Sequence, residues 1–209
     1  NYIETILNIL YKEGNKIDIL EFNATSFNTN NSDKLVKEIV LCENEGYCQK
    51  NTDTLVKLIN SMHWFSWIRV FKSSILEKDL FPVGVNFQDM MSLPFLYSID
   101  KNIYGLKSKL VKYRLHSESS VKQVNERIVF STVQGVNIFK NKSIENEIYI
   151  YKYAHFLELN MKYSVKYYGA IKGFSQNRKY IKEFNSIFGY RSDVHFLVSK
   201  FSFIYAFLY

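Results

Sequence analysis

Three groups of residues in this chain have the types and spacing for chemistry. The first is Gln88-Asp89, at the end of Phe81-Pro82-Val83-Gly84-Val85-Asn86-Phe87 and just ahead of an apolar run. A carboxylate at a helix start faces unpaired backbone amides, which favour its ionised form. So placed, Asp89 either caps the helix or accepts a proton from a reacting group. The second group is Tyr113-Arg114-Leu115-His116, followed by Ser119-Ser120. On a strand, Arg114 and His116 fall on one face. Arg114 can grip phosphate bidentately or simply be a solvated strand residue. His116 can be a metal or diphosphate contact or an ordinary hydrogen-bonded histidine, and the two serines read as a turn. The third group is Trp64 and Trp67, which can stack on a sugar ring or fill a core. One of the two is expected to be core.

The elements that must position these groups fall into two regions. Residues 1–13 read as an amphipathic helix, with Ile3, Ile6, Leu7 and Leu10 on one face and a stop at Gly14. Residues 16–22 read as a buried strand, 23–33 as a polar loop, and 35–42 with 46–49 as a hairpin about Glu45-Gly46. Thr52 or Asp53 can cap a helix through Met62. Residues 64–72 suit a strand buried on both faces, and 73–78 a short helix. Residues 79–88 form a loop fixed by Pro82 and Gly84. Pro94 must start or kink the helix after Asp89. Residues 101–105 and 109–115 read as two strands. Beyond Val121 every segment is helical, over about 121–140, 144–168, 175–188 and 192–208. The expected organisation is therefore α/β over 1–121, then an all-helical region over 122–209.

Taken together and in order, the three groups resemble the acceptor-side half of a bacterial family 2 glycosyltransferase of the GT-A type. Trp64-Phe65-Ser66-Trp67-Ile68-Arg69-Val70-Phe71-Lys72 is similar to the family's "W-x-x-I/V-F/Y-K" strand. Phe81 to Asp89 is similar to "lFp-G-x-x-F/Y-E-D", and Tyr113 to Ser120 to "Y-R-x-H-x-x-S-S". The resemblance covers roughly residues 1–125 and implies a partial GT-A mixed sheet. It assigns Asp89 the role of base, taking the proton from the acceptor hydroxyl during in-line, inverting attack. Gln88 departs from the pattern, where Glu is usual, and removes a second charge while keeping an acceptor oxygen. Gln88, Trp64, Trp67, Arg114 and His116 become candidates for binding the nucleotide-sugar donor and the saccharide or lipid-linked acceptor.

The family's first strand, "S-V-I-I-P-x-Y-N", and its D-x-D metal motif do not occur in residues 1–209. The resemblance therefore implies that a magnesium or manganese ion is held by residues before Asn1, with His116 as the local candidate ligand. It also implies that this chain alone transfers no sugar. The apolar helix face at a start lacking Met likewise suggests that residues precede Asn1.

Composition bounds the alternatives. The 209 residues are 47% hydrophobic and 22% charged, enough for a real core. No apolar run reaches the length of a membrane span. Cys42 and Cys48 read as free thiols of a reduced, cytoplasmic compartment, or else as a cross-hairpin disulfide. The net charge of +7 is uneven: residues 151–209 hold nine Lys and Arg against three acids. Lys-Tyr interleaving there, with an apolar terminal helix, suits an anionic membrane surface, a helical bundle with a wet basic face, or a protein contact. A non-catalytic basic module binding membrane or single-stranded nucleic acid is the competing function. The apolar last helix and the lack of a nucleic-acid signature argue against nucleic acid. An exposed sheet edge would allow self-association.

Overall fold

The computed structural model describes residues 1–28, 31–61, 63–116 and 124–189. They form a mixed sheet with helices, followed by three packed C-terminal helices. The described residues divide into two compact units, those of 1–81 with 92–116, and those of 82–91 with 124–189.

The first unit is built on β1 (Ile19–Asn28), which is paired along both edges. One edge runs parallel to β5 (Ile103–Leu115) over the whole strand. The other is antiparallel, to β4 (Arg69–Phe71) at its start and to β2 (Asn31–Ile39) beyond. The short β3 (Gly46–Tyr47) pairs with the far edge of β5. A central strand is covered on both faces, so β1 is buried through Ala24. The core gathers Ile17, Leu20, Phe22, Ile68, Tyr104 and Leu106, with Ile6 entering from α1 (Tyr2–Glu13). Ile9 and Leu10 of α1 pack against it, whereas Ile3 and Leu7 are exposed. Gly14 ends α1 at φ 64, where a side chain would be strained.

Several expectations are corrected here. The polar stretch 23–33 is strand through Asn28, because the Asn23 side chain is satisfied by backbone from β5 and from the segment just after β2. Its Nδ2 donates to Cys42 O at 2.8 Å and Lys107 O at 3.0 Å, and its Oδ1 accepts from the amides of Leu41 and Cys42. The same amide explains β5, which is one strand and not two. The register slips on either side of Asn23, and Lys107 lies in the slipped stretch. The hairpin about Glu45-Gly46 does not form: residues 31–39 turn back on β1, and Gly46–Tyr47 joins β5. Both cysteines are free thiols. The helix α2 (Thr52–Ile59) is capped by Asn51, whose Oδ1 accepts from Thr54 N at 2.8 Å. The strand expected over 64–72 shortens to β4, preceded by a 3-10 turn at Ser66–Ile68. Residues 73–78 give only a 3-10 turn at Ser73–Ile75. Pro94 opens a 3-10 turn, Leu93–Leu96, where its missing N–H costs nothing.

The helical unit holds α4 (Glu126–Glu145), α5 (Ile150–Tyr168) and α6 (Ala170–Phe188). Asn125 caps α4, accepting from Ile128 N. Gly135 lets α4 and α5 close up: a Cβ there would lie 2.1 Å from the Phe156 ring. Phe156 in turn stacks on Phe139 at 5.3 Å. Glycine also explains why α6 starts before the expected residue 175. Gly169, at φ 84, breaks the chain, but Gly173 is a packing glycine whose Cβ would meet the Val165 backbone at 2.6 Å. The helix expected over 192–208 lies outside the described residues.

Candidate functional site

Asp89 stands in the first turn of α3 (Gln88–Ser92) and is half-buried. Its setting is made by the loop before it. Gly84 takes φ 79, and Phe87 takes φ 62, the one left-handed non-glycine among the described residues. Such a conformation costs about 1–3 kcal/mol and persists only where the surroundings impose it. Here they do. The Phe87 ring sits 5.8 Å from that of Tyr163, against a cluster of Ile128, Val129 and Tyr163. Asn86 N donates to Ser131 Oγ at 2.9 Å, and Arg127 Nε donates to Gly84 O at 3.2 Å. Gln88 Nε2 donates to Pro82 O at 2.7 Å, closing the loop on itself. That donor has a consequence for the departure from the "E-D" pattern. A glutamate could not donate, so in this chain the amide is what holds the turn.

The two tryptophans separate. Trp64 is 1% exposed; it meets Tyr97 edge-on at 5.0 Å, and the Arg69 guanidinium lies over its ring. It is a core residue and presents no face to a ligand. Trp67 is half-buried and lies parallel to Tyr113 at 4.9 Å and to Phe65 at 5.1 Å, with interplanar angles of 9° and 18°. The three rings stack on one another and pack against the sheet core. Phe65 and Tyr113 were not singled out in the sequence, although both sit in the strings that carry the resemblance. Arg114, beside Tyr113, is exposed near the end of β5, and His116 is exposed just past it. Because β1 and β5 are parallel, their carboxyl ends meet at Asn28 and Leu115. Ser119 and Ser120 lie outside the described residues.

Sequence reasoning missed a buried polar cluster. Glu21 and Arg69 are paired residues of β1 and β4, and Arg69 Nη2 lies 3.0 Å from Glu21 Oε1. Tyr97 OH donates to Glu21 Oε1 at 2.5 Å and accepts from Arg69 Nε at 2.7 Å. Arg69 Nη1 donates to the carbonyls of His63 and Phe65, so it also ties down the approach to Trp64 and Trp67. Burial, and next the Glu21 charge, push the Tyr97 hydroxyl well above the usual tyrosine range. Burial lowers Arg69, but Tyr97 and Glu21 outweigh it and hold its pKa above the ordinary value. A lone Glu inside Ile-Leu-Glu-Phe and a lone Arg inside Ile-Arg-Val were the signals available.

The candidates thus fall into two sets. Gln88 and Asp89 share one turn in the helical unit; Trp64, Trp67, Arg114 and His116 belong to the sheet unit. Among the described residues no group of three or more His, Cys, Asp or Glu is placed to hold a metal ion. None of their helices is long and apolar enough to cross a membrane. No protein-family model and no curated protein matches the chain.

Proposed function

We propose that this chain is the acceptor-side part of a glycosyltransferase, which moves a sugar from a nucleotide-sugar to a saccharide or lipid-linked acceptor. The reaction would serve bacterial cell-surface polysaccharide synthesis. The observation that carries the reading is the loop before Asp89. A left-handed phenylalanine, a glutamine staple and a bond to α4 constrain the three residues before one carboxylate. Strain of this kind gathers at sites where a side chain must be held in place. Asp89 then takes the proton of the acceptor hydroxyl as its oxygen attacks the anomeric carbon, and the nucleoside diphosphate leaves on the opposite side with inversion.

Other features support the same reading. An outward ring face of the Phe65-Trp67-Tyr113 stack suits the apolar face of a pyranose. Arg114 and His116 lie at the carboxyl ends of parallel strands, where ligands of α/β sheets bind. A divalent metal would offset charge on the leaving diphosphate; the D-x-D motif that the resemblance gives it does not occur in residues 1–209. At the turn between α5 and α6, exposed Tyr167 and Ile171 are flanked by exposed Lys166 and Lys172. That pattern suits the anionic cytoplasmic face of the plasma membrane.

The test is sugar transfer by the intact gene product, with Asp89→Asn beside wild type. Loss of a general base predicts a fall in turnover of roughly 10²–10⁴-fold. An unchanged rate in the folded variant would overturn the assignment.

A further inference from the structure

The helical unit contains a cleft that none of the candidate residues lines. Helices α4 and α6 both pack on α5, which forms the floor between them. Toward the far ends of α4 and α6 the gap is bridged by the Lys140–Glu183 ion pair. Toward their N-terminal ends it opens into a cavity of about 420 Å³, within the usual range of small-molecule sites, about 300–1,000 Å³.

The cleft has a fixed polar floor. Asn160 and Ser164 line it, and both are 1% exposed. The Thr132 hydroxyl shares its one proton between Val129 O at 2.8 Å and Asn160 Oδ1 at 2.9 Å, and Asn160 Nδ2 donates to Asn177 Oδ1 at 2.7 Å. Asn177 Nδ2 is anchored on Gly173 O at 2.8 Å. The floor is therefore preorganised, its amides held in place by bonds to one another and to backbone. Ser164 Oγ donates to Asn160 Oδ1 at 3.4 Å and keeps its lone pairs for an incoming hydroxyl.

The walls are aromatic and the rim is balanced. Phe130, Tyr168 and Tyr180 supply rings, while Glu126 and Lys179 supply one charge of each sign. Lys179 lies over the Tyr180 ring at 4.7 Å. Hydroxyl and amide groups below, rings at the sides and no net charge describe a site for a neutral, hydroxyl-rich molecule with apolar faces. We infer that this cleft binds a neutral saccharide. Val129 and Tyr168 line it and also pack in the cluster that holds Phe87, two residues before Asp89. The cleft and the Asp89 loop thus share a wall. On the transferase reading, the bound sugar is part of the acceptor; the inference rests on that reading only in naming it so.

The experiment is saturation-transfer NMR on the full chain with lactose, cellobiose and N,N′-diacetylchitobiose as probes. At least one should receive saturation. Gln176→Trp places a bulky ring from an exposed position on the cleft wall and should abolish the signal. Ser164→Ala, which removes only the hydroxyl, should weaken binding about tenfold, as expected for one lost hydrogen bond. No transfer to any of the three, or equal binding by both folded variants, would overturn the inference. Binding is read without turnover, so this failure leaves the Asp89 test standing, and failure of that test leaves a positive binding result intact.

Discussion

Glu21 and Arg69 face each other directly across β1 and β4, and the charged ends of both are sealed from solvent, at 2% and 1% side-chain exposure. Desolvating two charges is costly, so such a pair contributes less by existing than its rupture removes. Arg69→Met should therefore destabilise the sheet unit by about 3–5 kcal/mol, since it leaves Glu21 buried and uncompensated. The double variant Glu21→Leu with Arg69→Met should recover much of that loss. Urea unfolding of the two singles and the double gives the coupling; strictly additive losses would show that the residues do not act as a pair.

Gln88→Glu tests whether the amide holds the Asp89 loop. The variant restores the residue usual in the resembling pattern, yet removes the donor to Pro82 O and sets a carboxylate against a carbonyl. A loss of about 1–3 kcal/mol is expected. Faster amide exchange over residues 82–91 should accompany it, with the rest of the chain unchanged. Unaltered exchange there would mean the staple is dispensable.

Stability should fall on the alkaline side. Burial, with Glu21 next, pushes the Cys42 thiol from 9.0 up to about 12, and burial holds Tyr97 above its ordinary 10.0. Both folded-state values are raised. Their contribution is complete below the unfolded values, and it is lost as pH climbs toward the folded ones, because the unfolded chain gives up protons that the fold retains. Cys42→Ala should flatten the dependence between pH 9 and 12, by at most about 1.4 kcal/mol per pH unit in the middle of that window. Urea unfolding under reductant at stepped pH reads this directly. A slope identical in the variant would contradict it.

Gly135→Ala would improve helix propensity by about 1 kcal/mol in isolation. In this fold the added methyl would lie 2.1 Å from the Phe156 ring, which is stacked on Phe139 and has little freedom to retreat. Overpacking of that kind costs about 1–3 kcal/mol. A lower melting temperature by circular dichroism is the expected result, and a higher one would show that the ring can move.

Local pattern was enough for the elements whose stability is written in neighbouring residues. The helical repeat announced α1 and most of α4 and α5, although α4 runs through the expected stop at 141–143 to Glu145 and α5 begins at Ile150, not 144; the apolar run before Asn23 announced β1. The start of a helix at Gln88-Asp89 was also legible. Gly173 misled, since a stop signal and a packing contact look alike until the partner helix is present. The polar run after Phe22 misled for the same reason: Asn23 becomes a strand residue only when Leu41, Cys42 and Lys107 come to meet it.

Burial could not be read from residue type alone. Trp64 and Trp67 are chemically the same and three positions apart, and only the assembled sheet unit makes one core and the other part of a half-buried stack. Arg69 finds Glu21 from 48 positions away, and Tyr97 finds it from 76. The cleft is more remote still from any motif, because it is defined by how three helices diverge. Sequence by itself determined the residue chemistry and most of the local periodicity of this protein. Tertiary structure decided which of those groups face solvent and which face one another, because desolvation and distance act between residues that the chain holds far apart.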